Sequence, residues 1–447
     1  MQAEAAGVTP DVRFNPILLK PESDTRSQLV VLGKAVGHLE AREFAGRRDD
    51  LREIAISTLE ELRREFDVII CEGAGSLAEV NLRAGDLSNM GLAVPAKLPT
   101  IVIGDINRGG VFASFFGSLA LLDPEDQNLV CAFVINKFRG DRELLRPGIE
   151  MLTDLTGRPT LAVVPWQLDI WLDAEDAIPF GLMKADRPGD RVWLRVFVLR
   201  LPHISNATDL DALACMPGVQ VLFTADPRDI INADLVVIPG TKATVHDLEW
   251  MTQQGLADAI LAHHADGKPI IGLCGGFQML CARIDDPVES GRTDVPGLNI
   301  FPLTVAFNPA KQVRKRSGLA LDAPIAGYEI HHGYIASALS EVRPFIVSSN
   351  GEREGAISTD GKVFGTHWHG IFESDDFRRA FLREIATHIR RNNVETSSRP
   401  FALTRQRFLD RLGDLVEENF DTDALWRLIE SGAPRNLPTV SNLLLRR

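Results

Sequence analysis

Three features of the chain predict an α/β fold with two parallel-sheet domains. Short apolar strands alternate with helical stretches in both halves, without the polar alternation of a sheet wetted on one face. An acidic, turn-rich stretch from Trp166 to Arg191 separates the two series. In the second series, GLCGGFQML (Gly272 to Leu280) reads as a buried strand breaking into a helix through small residues, with Cys274 at the break. At 447 residues the chain is also too long for one ordinary core.

Composition narrows the function classes. A content of 45% hydrophobic and 24% charged residues is that of a soluble globular enzyme. The formal net charge of −13 argues against nucleic acid as a partner, because backbone binding draws on clustered Lys and Arg. Five cysteines without a CxxC pair read as reduced thiols in a cytoplasmic protein, with neither a disulfide framework nor a zinc ribbon. No apolar run approaches the roughly 18 residues of a membrane span, and MQAEAAGVTP lacks the marks of a signal peptide.

In chain order, Asp11 to Lys34 is polar and extended. Asp50 to Phe66 is helical, with Leu51, Ile54, Leu59, Leu62 and Phe66 on one face. Strands are expected at Asp67 to Cys71, Thr100 to Asp105, Leu129 to Asn136 and Pro159 to Pro165. Helices are expected at Val111 to Leu122 and Arg142 to Thr156. Functional groups gather at the carboxyl ends of such strands. Here those ends are CEGAGS with Glu72, GDINRGGVF with Asp105 and Arg108, and NKFRGD beginning at Asn136. Carboxylates beside glycine turns and basic residues suit a nucleotide with Mg²⁺; tight turns with solvated charges are the alternative. Glu79 to Pro95 is too polar and glycine-punctuated for a regular element and reads as a loop.

The second half repeats the pattern, with strands at Val192 to Leu199, Val219 to Phe223, Ala233 to Ile238 and Pro269 to Leu273. A helix is expected from Gly275 to Ile284. Cys274 at its start feels the positive end of the helix dipole, which favours the nucleophilic thiolate; a buried cysteine in an ordinary turn is the alternative. Gly275, and Gly240 in the turn PGTKATVHDL, offer backbone N–H groups for an oxyanion. A cysteine nucleophile needs a base from a neighbouring strand. His369, after the strand-like VFGT and before a helix at Asp375 to Arg390, is placed for it, while His331, His332 and His367 compete. His367 and His369 share one side of an extended chain, which invites a metal reading, but no acid stands at a metalloprotease spacing. Hydrogen-bonded core imidazoles are the simple reading of His331 and His332. Arg391 to Arg447 holds a charged helix, Arg405 to Glu430, expected to pack on the second domain.

Together, NPILLKPESDTRSQ (Asn15 to Gln28), CEGAGS, NLRAGDLSNMG, DINRGGVFAS, INKFRGD, IPGTKATVHDL, GLCGGFQML, GYEIHHG and GTHWHGIF form a set that resembles the adenosylcobyric acid synthases, glutamine-dependent amidotransferases of cobalamin synthesis. The resemblance covers nearly the whole chain. It implies a dethiobiotin-synthetase-like, P-loop-type domain at 1–175, a linker at 176–190, a triad-type class I glutaminase domain of flavodoxin-like fold at 191–392, and a helical extension at 393–447.

It further implies Cys274 as glutaminase nucleophile, His369 as its base, and Gly240 and Gly275 at the oxyanion hole. Glu72 falls near Mg²⁺ and phosphate, Asn136 near adenine, and Asp105 in the synthetase site. ATP with Mg²⁺, glutamine and adenosylcobyrinic a,c-diamide are the implied ligands, with four carboxylates (b, d, e and g) amidated; a homo-oligomer is admitted. Other amidotransferases of the group, acting on cobyrinic acid or on a cell-wall lipid, are the rivals. From another class comes a non-catalytic corrinoid- or partner-binding protein.

Two departures stand out. Many class I glutaminases carry Glu two residues after the histidine, where this chain has Ile371, so the group orienting His369 is unassigned. Family members begin with a strand and a G-x-x-x-x-x-G-K-S phosphate loop. The sequence in hand starts at MQAEAAGV, and no such loop occurs within it, so weakened nucleotide binding is the expectation.

Overall fold

A computed structural model describes residues 2–21, 26–40, 45–167, 170, 192–337, 342–391 and 399–440. The described chain forms two units, Met1–Trp171 with Phe408–Arg447, and Leu172–Arg407. Most of the boundary expected at Trp166 to Arg191 lies outside the described residues.

In the first unit, the extended N-terminal region folds into an antiparallel meander, β1 (Ile17–Pro21), β2 (Arg26–Val31) and β3 (Lys34–Glu40). Helix α1 (Arg48–Leu62) follows and buries Leu51, Ala55, Leu59 and Leu62 on one face, as the periodicity predicts. The apolar segment Asp67 to Cys71 is not a strand. It has no regular structure and no ladder partner among the described residues, leaving Ile70 89% exposed. An apolar run reports a capacity for burial, whereas a strand also needs a neighbour to receive its hydrogen bonds.

The region from Glu79 to Pro95 departs in the opposite direction. It contains a 3₁₀ turn at Arg83–Gly85 and helix α2 (Met90–Ala96). The Asp86 carboxylate accepts the N–H groups of Ser88, Asn89 and Gly91, and Met90 is fully buried, so a short polar signal nucleates a helix that mean composition hides.

The parallel sheet of this unit has the order β4 (Thr100–Asp105), β5 (Val130–Phe138), β6 (Thr160–Pro165). Helix α3 (Val111–Leu121) buries Val111, Phe115 and Leu119, with Phe115 stacked on Phe133 of β5 at 4.7 Å. Helix α4 (Arg146–Thr156) connects β5 to β6.

The second unit carries a six-stranded sheet whose parallel part is built from β7 (Leu194–Leu199), β8 (Val219–Thr224), β9 (Leu235–Ile238) and β10 (Ile270–Leu273). Helix α5 (Thr244–Gln253) follows β9. Helix α6 (Gly275–Leu280) is shorter than expected; from Cys281 the backbone turns extended and continues as β11 (Cys281–Asp286). Beyond it, β12 (Arg292–Pro296), the long hairpin β13 (Phe301–Ala320) and β14 (Ala323–Ile335), β15 (Ile346–Ser348) and β16 (Arg353–Glu354) form a second sheet with β11. That sheet captures the residues predicted as the helix end, a tertiary pairing that local propensity does not encode. Strands β17 (Ala356–Ile357) and β18 (Val363–Thr366) return to the first sheet, giving the order β17-β18-β10-β9-β7-β8, and α7 (Asp375–His388) follows.

The tail forms α8 (Phe401–Asn419) and α9 (Thr422–Ser431). The expectation that it packs on the second domain is corrected from residue 408 onward. Phe420, Ala424 and Leu428 pack on Ala132, Val134, Leu161 and Ala162, and the Val440 N–H donates to Gln127 at 2.8 Å, all within the first unit. An amphipathic helix announces that it has an apolar face, not which core that face will meet. No described helix is long and apolar enough to cross a membrane.

Candidate active site

In the second unit, four loops converge at the carboxyl ends of β7, β9, β10 and β18, where the strand order reverses between β7 and β9. Cys274 sits at the end of β10 with φ 49° and ψ −109°, a left-handed conformation that costs a residue bearing a Cβ about 1–3 kcal/mol. Surrounding packing holds that strain. The Cys274 N–H donates to the Thr366 carbonyl at 2.7 Å, extending the β10–β18 ladder, and its carbonyl accepts from the Gln278 N–H at 3.0 Å.

The glycines after it permit the close approach of α6 to β9. A methyl on Gly276 would lie 2.0 Å from the Ile238 carbonyl oxygen, and one on Gly275 would lie 2.6 Å from the Thr241 methyl. Gly276→Ala is therefore expected to lose about 1–3 kcal/mol of stability, the usual cost of overpacking against backbone that cannot yield. Urea unfolding checks it: a lower midpoint at unchanged slope is expected, and an unaltered midpoint would contradict this packing.

The imidazole of His369 meets the same point. Residue 369 follows β18 and is clasped by β14 through two backbone bonds, His369 N–H to the Tyr328 carbonyl at 2.8 Å and the reverse at 3.1 Å. The rings of Tyr328 and His369 stack at 5.5 Å. His369 Nδ1 donates to Asp209 Oδ2 at 2.6 Å, while Asp209 Oδ1 accepts the Gly370 N–H at 2.7 Å. Asp209 and His369 are 4% and 1% exposed, so the pair is closed to solvent. With Nδ1 committed, Nε2 is left for the Cys274 sulfur, which lies within hydrogen-bonding reach. Burial alone would push this imidazole down; Asp209 and Cys274 overcome that and raise it to about 10. Gly240, at the end of β9, abuts the same ring, since a methyl there would stand 2.8 Å from His369 Cε1. Thiol and imidazole in this arrangement can exchange a proton while the carboxylate orients the ring, with the Gly240 and Gly275 backbone beside them.

Asp209 is the residue that sequence reasoning missed. It lies 160 positions from His369, in the 3₁₀ segment Ala207–Leu210 after β7. The available signal was an acid in NATDLDALA, at the exit of a strand neighbouring β9. Ile371, where other class I glutaminases carry Glu, is fully buried. His367 and His369 do not form a metal pair: they turn to separate carboxylates, Glu354 and Asp209. No cluster of three or more metal-ligating side chains occurs among the described residues.

In the first unit, Asp105 and Asn136 lie opposite each other in the β4–β5 register. Asp105 accepts from Lys137 Nζ at 2.8 Å and from the Asn107 N–H at 3.0 Å; the Lys137 bond holds its carboxyl below the usual range. Asn136 Oδ1 accepts the Lys137 N–H at 2.8 Å. Beside them is a cavity of about 520 Å³ lined by Phe138, Arg139, Arg142 and Trp166 among others, with the Arg139 guanidinium 4.4 Å from the Trp166 ring centre. Glu72 is exposed on the irregular segment that follows, and no described contact joins it to Asp105 or Asn136.

Residues 195–377 match the CobB/CobQ-like glutamine amidotransferase domain. A cobyric acid synthase of Rhodococcus jostii is 51% identical over 100% of this chain and 87% of its own length. One of Saccharopolyspora erythraea is 53% identical over 98% and 85%. A solved glutamine amidotransferase covers 43% of this chain and 98% of its own, at 13% identity and a TM-score of 0.35. The chain carries a glutamine amidotransferase domain, acts in cobalamin biosynthesis, and belongs to the cobyric acid synthase family.

Proposed function

We propose that the chain uses glutamine and ATP to amidate four carboxylates (b, d, e and g) of adenosylcobyrinic a,c-diamide, the last of them yielding adenosylcobyric acid. The glutaminase half is assigned to 191–392 and the amide-forming half to 1–175. The observation that carries the reading is the buried Asp209–His369 pair with the Cys274 sulfur in reach of the same ring.

Cys274 attacks the glutamine carboxamide carbon, and the resulting oxyanion is met by the backbone N–H groups of Gly240 and Gly275. The proton of the Cys274–His369 pair already resides on the raised imidazole, and His369 gives it to the departing nitrogen, so ammonia leaves, a thioester remains and the ring is left neutral. Water, deprotonated by His369, then releases glutamate and the thiol. Throughout, Asp209 keeps the ring in the orientation that presents Nε2.

In the first unit, the donor set fits an anionic nucleotide. Lys137, Arg139 and Arg142 supply positive charge, Trp166 an aromatic face, and Asp105 an oxygen ligand suited to Mg²⁺. ATP, when bound there, would supply the phosphoryl group that activates a carboxylate as an acyl phosphate; ammonia attacks the acyl carbon and inorganic phosphate leaves. Asn136 is assigned to the base and Glu72 to the metal and phosphate side. Five cysteines without a CxxC pair support a cytoplasmic setting.

The test is a mass-spectrometric assay with glutamine, ATP, Mg²⁺ and adenosylcobyrinic a,c-diamide. Four successive carboxylate-to-carboxamide exchanges are expected. Conversion of cobyrinic acid or a cell-wall lipid acid, with none of the a,c-diamide, would reject the substrate. Glutamate release indifferent to ATP and corrinoid would mark a stand-alone hydrolase.

A further inference from the structure

Two further histidines lie beside this site, and their hydrogen bonds leave a specific deficit. His331 on β14 and His367 after β18 are 7% and 5% exposed, and their rings stack at 4.5 Å with an interplanar angle of 27°. His331 Nδ1 lies 2.6 Å from the Gly333 carbonyl, and His367 Nδ1 lies 3.1 Å from Glu354 Oε1. Both of those partners can only accept, so in each ring Nδ1 carries a proton, and in the neutral form Nε2 presents a lone pair. Each Nε2 is buried and has no partner. Two lone pairs cannot satisfy one another, and buried acceptors are rarely left open. Burial, the largest cause, holds His331 down to about 3, so it does not acquire a second proton near neutrality.

The position of the pair indicates what it serves. His367 packs edge-on against Phe277, three residues beyond Cys274, at 5.0 Å, and it precedes His369 by two residues in the turn after β18. We propose that His331 Nε2 and His367 Nε2 form a small buried acceptor site for a nitrogen that bears several N–H donors: the carboxamide nitrogen of glutamine or the ammonia released from it. Neutral acceptors receive such a nitrogen without supplying a proton, which preserves ammonia as a nucleophile. A metal ion is a poorer occupant, since two imidazoles are the only ligands in view and no larger cluster exists among the described residues.

This inference rests on the glutaminase reading and is tested apart from it by ¹⁵N NMR of the full chain labelled at histidine. In the free protein, both rings are expected as the Nδ1–H tautomer. Ammonium chloride at mildly alkaline pH is then expected to shift both Nε2 resonances saturably, potassium chloride to leave them in place, and His331→Phe to abolish the His367 response. Glutamine added to the Cys274→Ala chain provides the second arm. A shift with glutamine but not with ammonium assigns the site to the carboxamide before cleavage, and a shift with ammonium assigns it to the released product. An Nε2–H tautomer on either ring, or no shift with either ligand, overturns the proposal. Loss of glutaminase activity in Cys274→Ala alongside silent imidazoles would leave the glutaminase reading intact and remove only this site.

Discussion

Cys274→Ala is expected to abolish glutamine-dependent amidation, lowering the rate by about 10⁴-fold or more, as loss of a covalent nucleophile does. The change is small in volume and leaves the elbow's backbone pairing intact, because the Thr366 and Gln278 bonds are made by main-chain atoms. Folding should therefore survive, and thermal melting checks that it does. The informative readout is a pair of assays. With glutamine as donor, turnover and glutamate release vanish together. With ammonium salt as donor, amide formation continues at the unmodified chain's ammonia-supported rate, since only the source of nitrogen has been removed. Persistent glutamate release would refute the assignment of Cys274, and loss of the ammonia-supported reaction would show that the substitution reaches beyond the glutaminase site.

Asp209→Asn is expected to reduce glutamine hydrolysis by about 10²–10⁴-fold. The asparagine retains an oxygen for the Gly370 N–H, so the loop has the means to stay in place. Facing Nδ1, however, its amide group can donate, and a donated hydrogen bond there selects the tautomer whose Nε2 carries the proton. That nitrogen then cannot accept from the thiol. The loss should fall on kcat, with a smaller change in KM, as suits a residue that positions another.

Stability offers a second readout. The folded His369 is raised above its ordinary 6.5 to about 10, so its contribution is complete below 6.5 and is lost as the pH rises toward 10. Removing the Asp209 charge should flatten that alkaline decline. An Asn variant with an unchanged kcat and an unchanged alkaline slope would sink the positioning role.

The legibility of this site was uneven, for physical reasons. Cys274 stands out because a strand, a strained turn and a helix are specified within a few residues, and glycines on one side mark where backbones must meet. His369 is legible at one remove: a histidine after an apolar strand and before a helix is placed at a sheet edge by local pattern alone. Asp209 carries no such mark. Acids are common at loop positions, and only the packing of the turn after β7 against the turn after β18 selects this one. The same limit explains Asp67 to Cys71, whose apolar composition suggests a strand that finds no partner among the described residues, and Cys281 to Ile284, whose helical reading is overridden by pairing with β12 and β13.

Sequence alone was enough for the α/β class, the elbow at Cys274, the histidine opposite it and the resemblance to the cobyric acid synthases. Each of these rests on short-range periodicity or on contiguous motifs, where neighbouring residues constrain one another directly. The tertiary structure decided which carboxylate orients His369, which imidazole nitrogens are left without donors, and that the chain from residue 408 returns to the first unit. Those outcomes depend on contacts between segments far apart in sequence, and they are settled by which buried groups find complementary partners once the layers have packed.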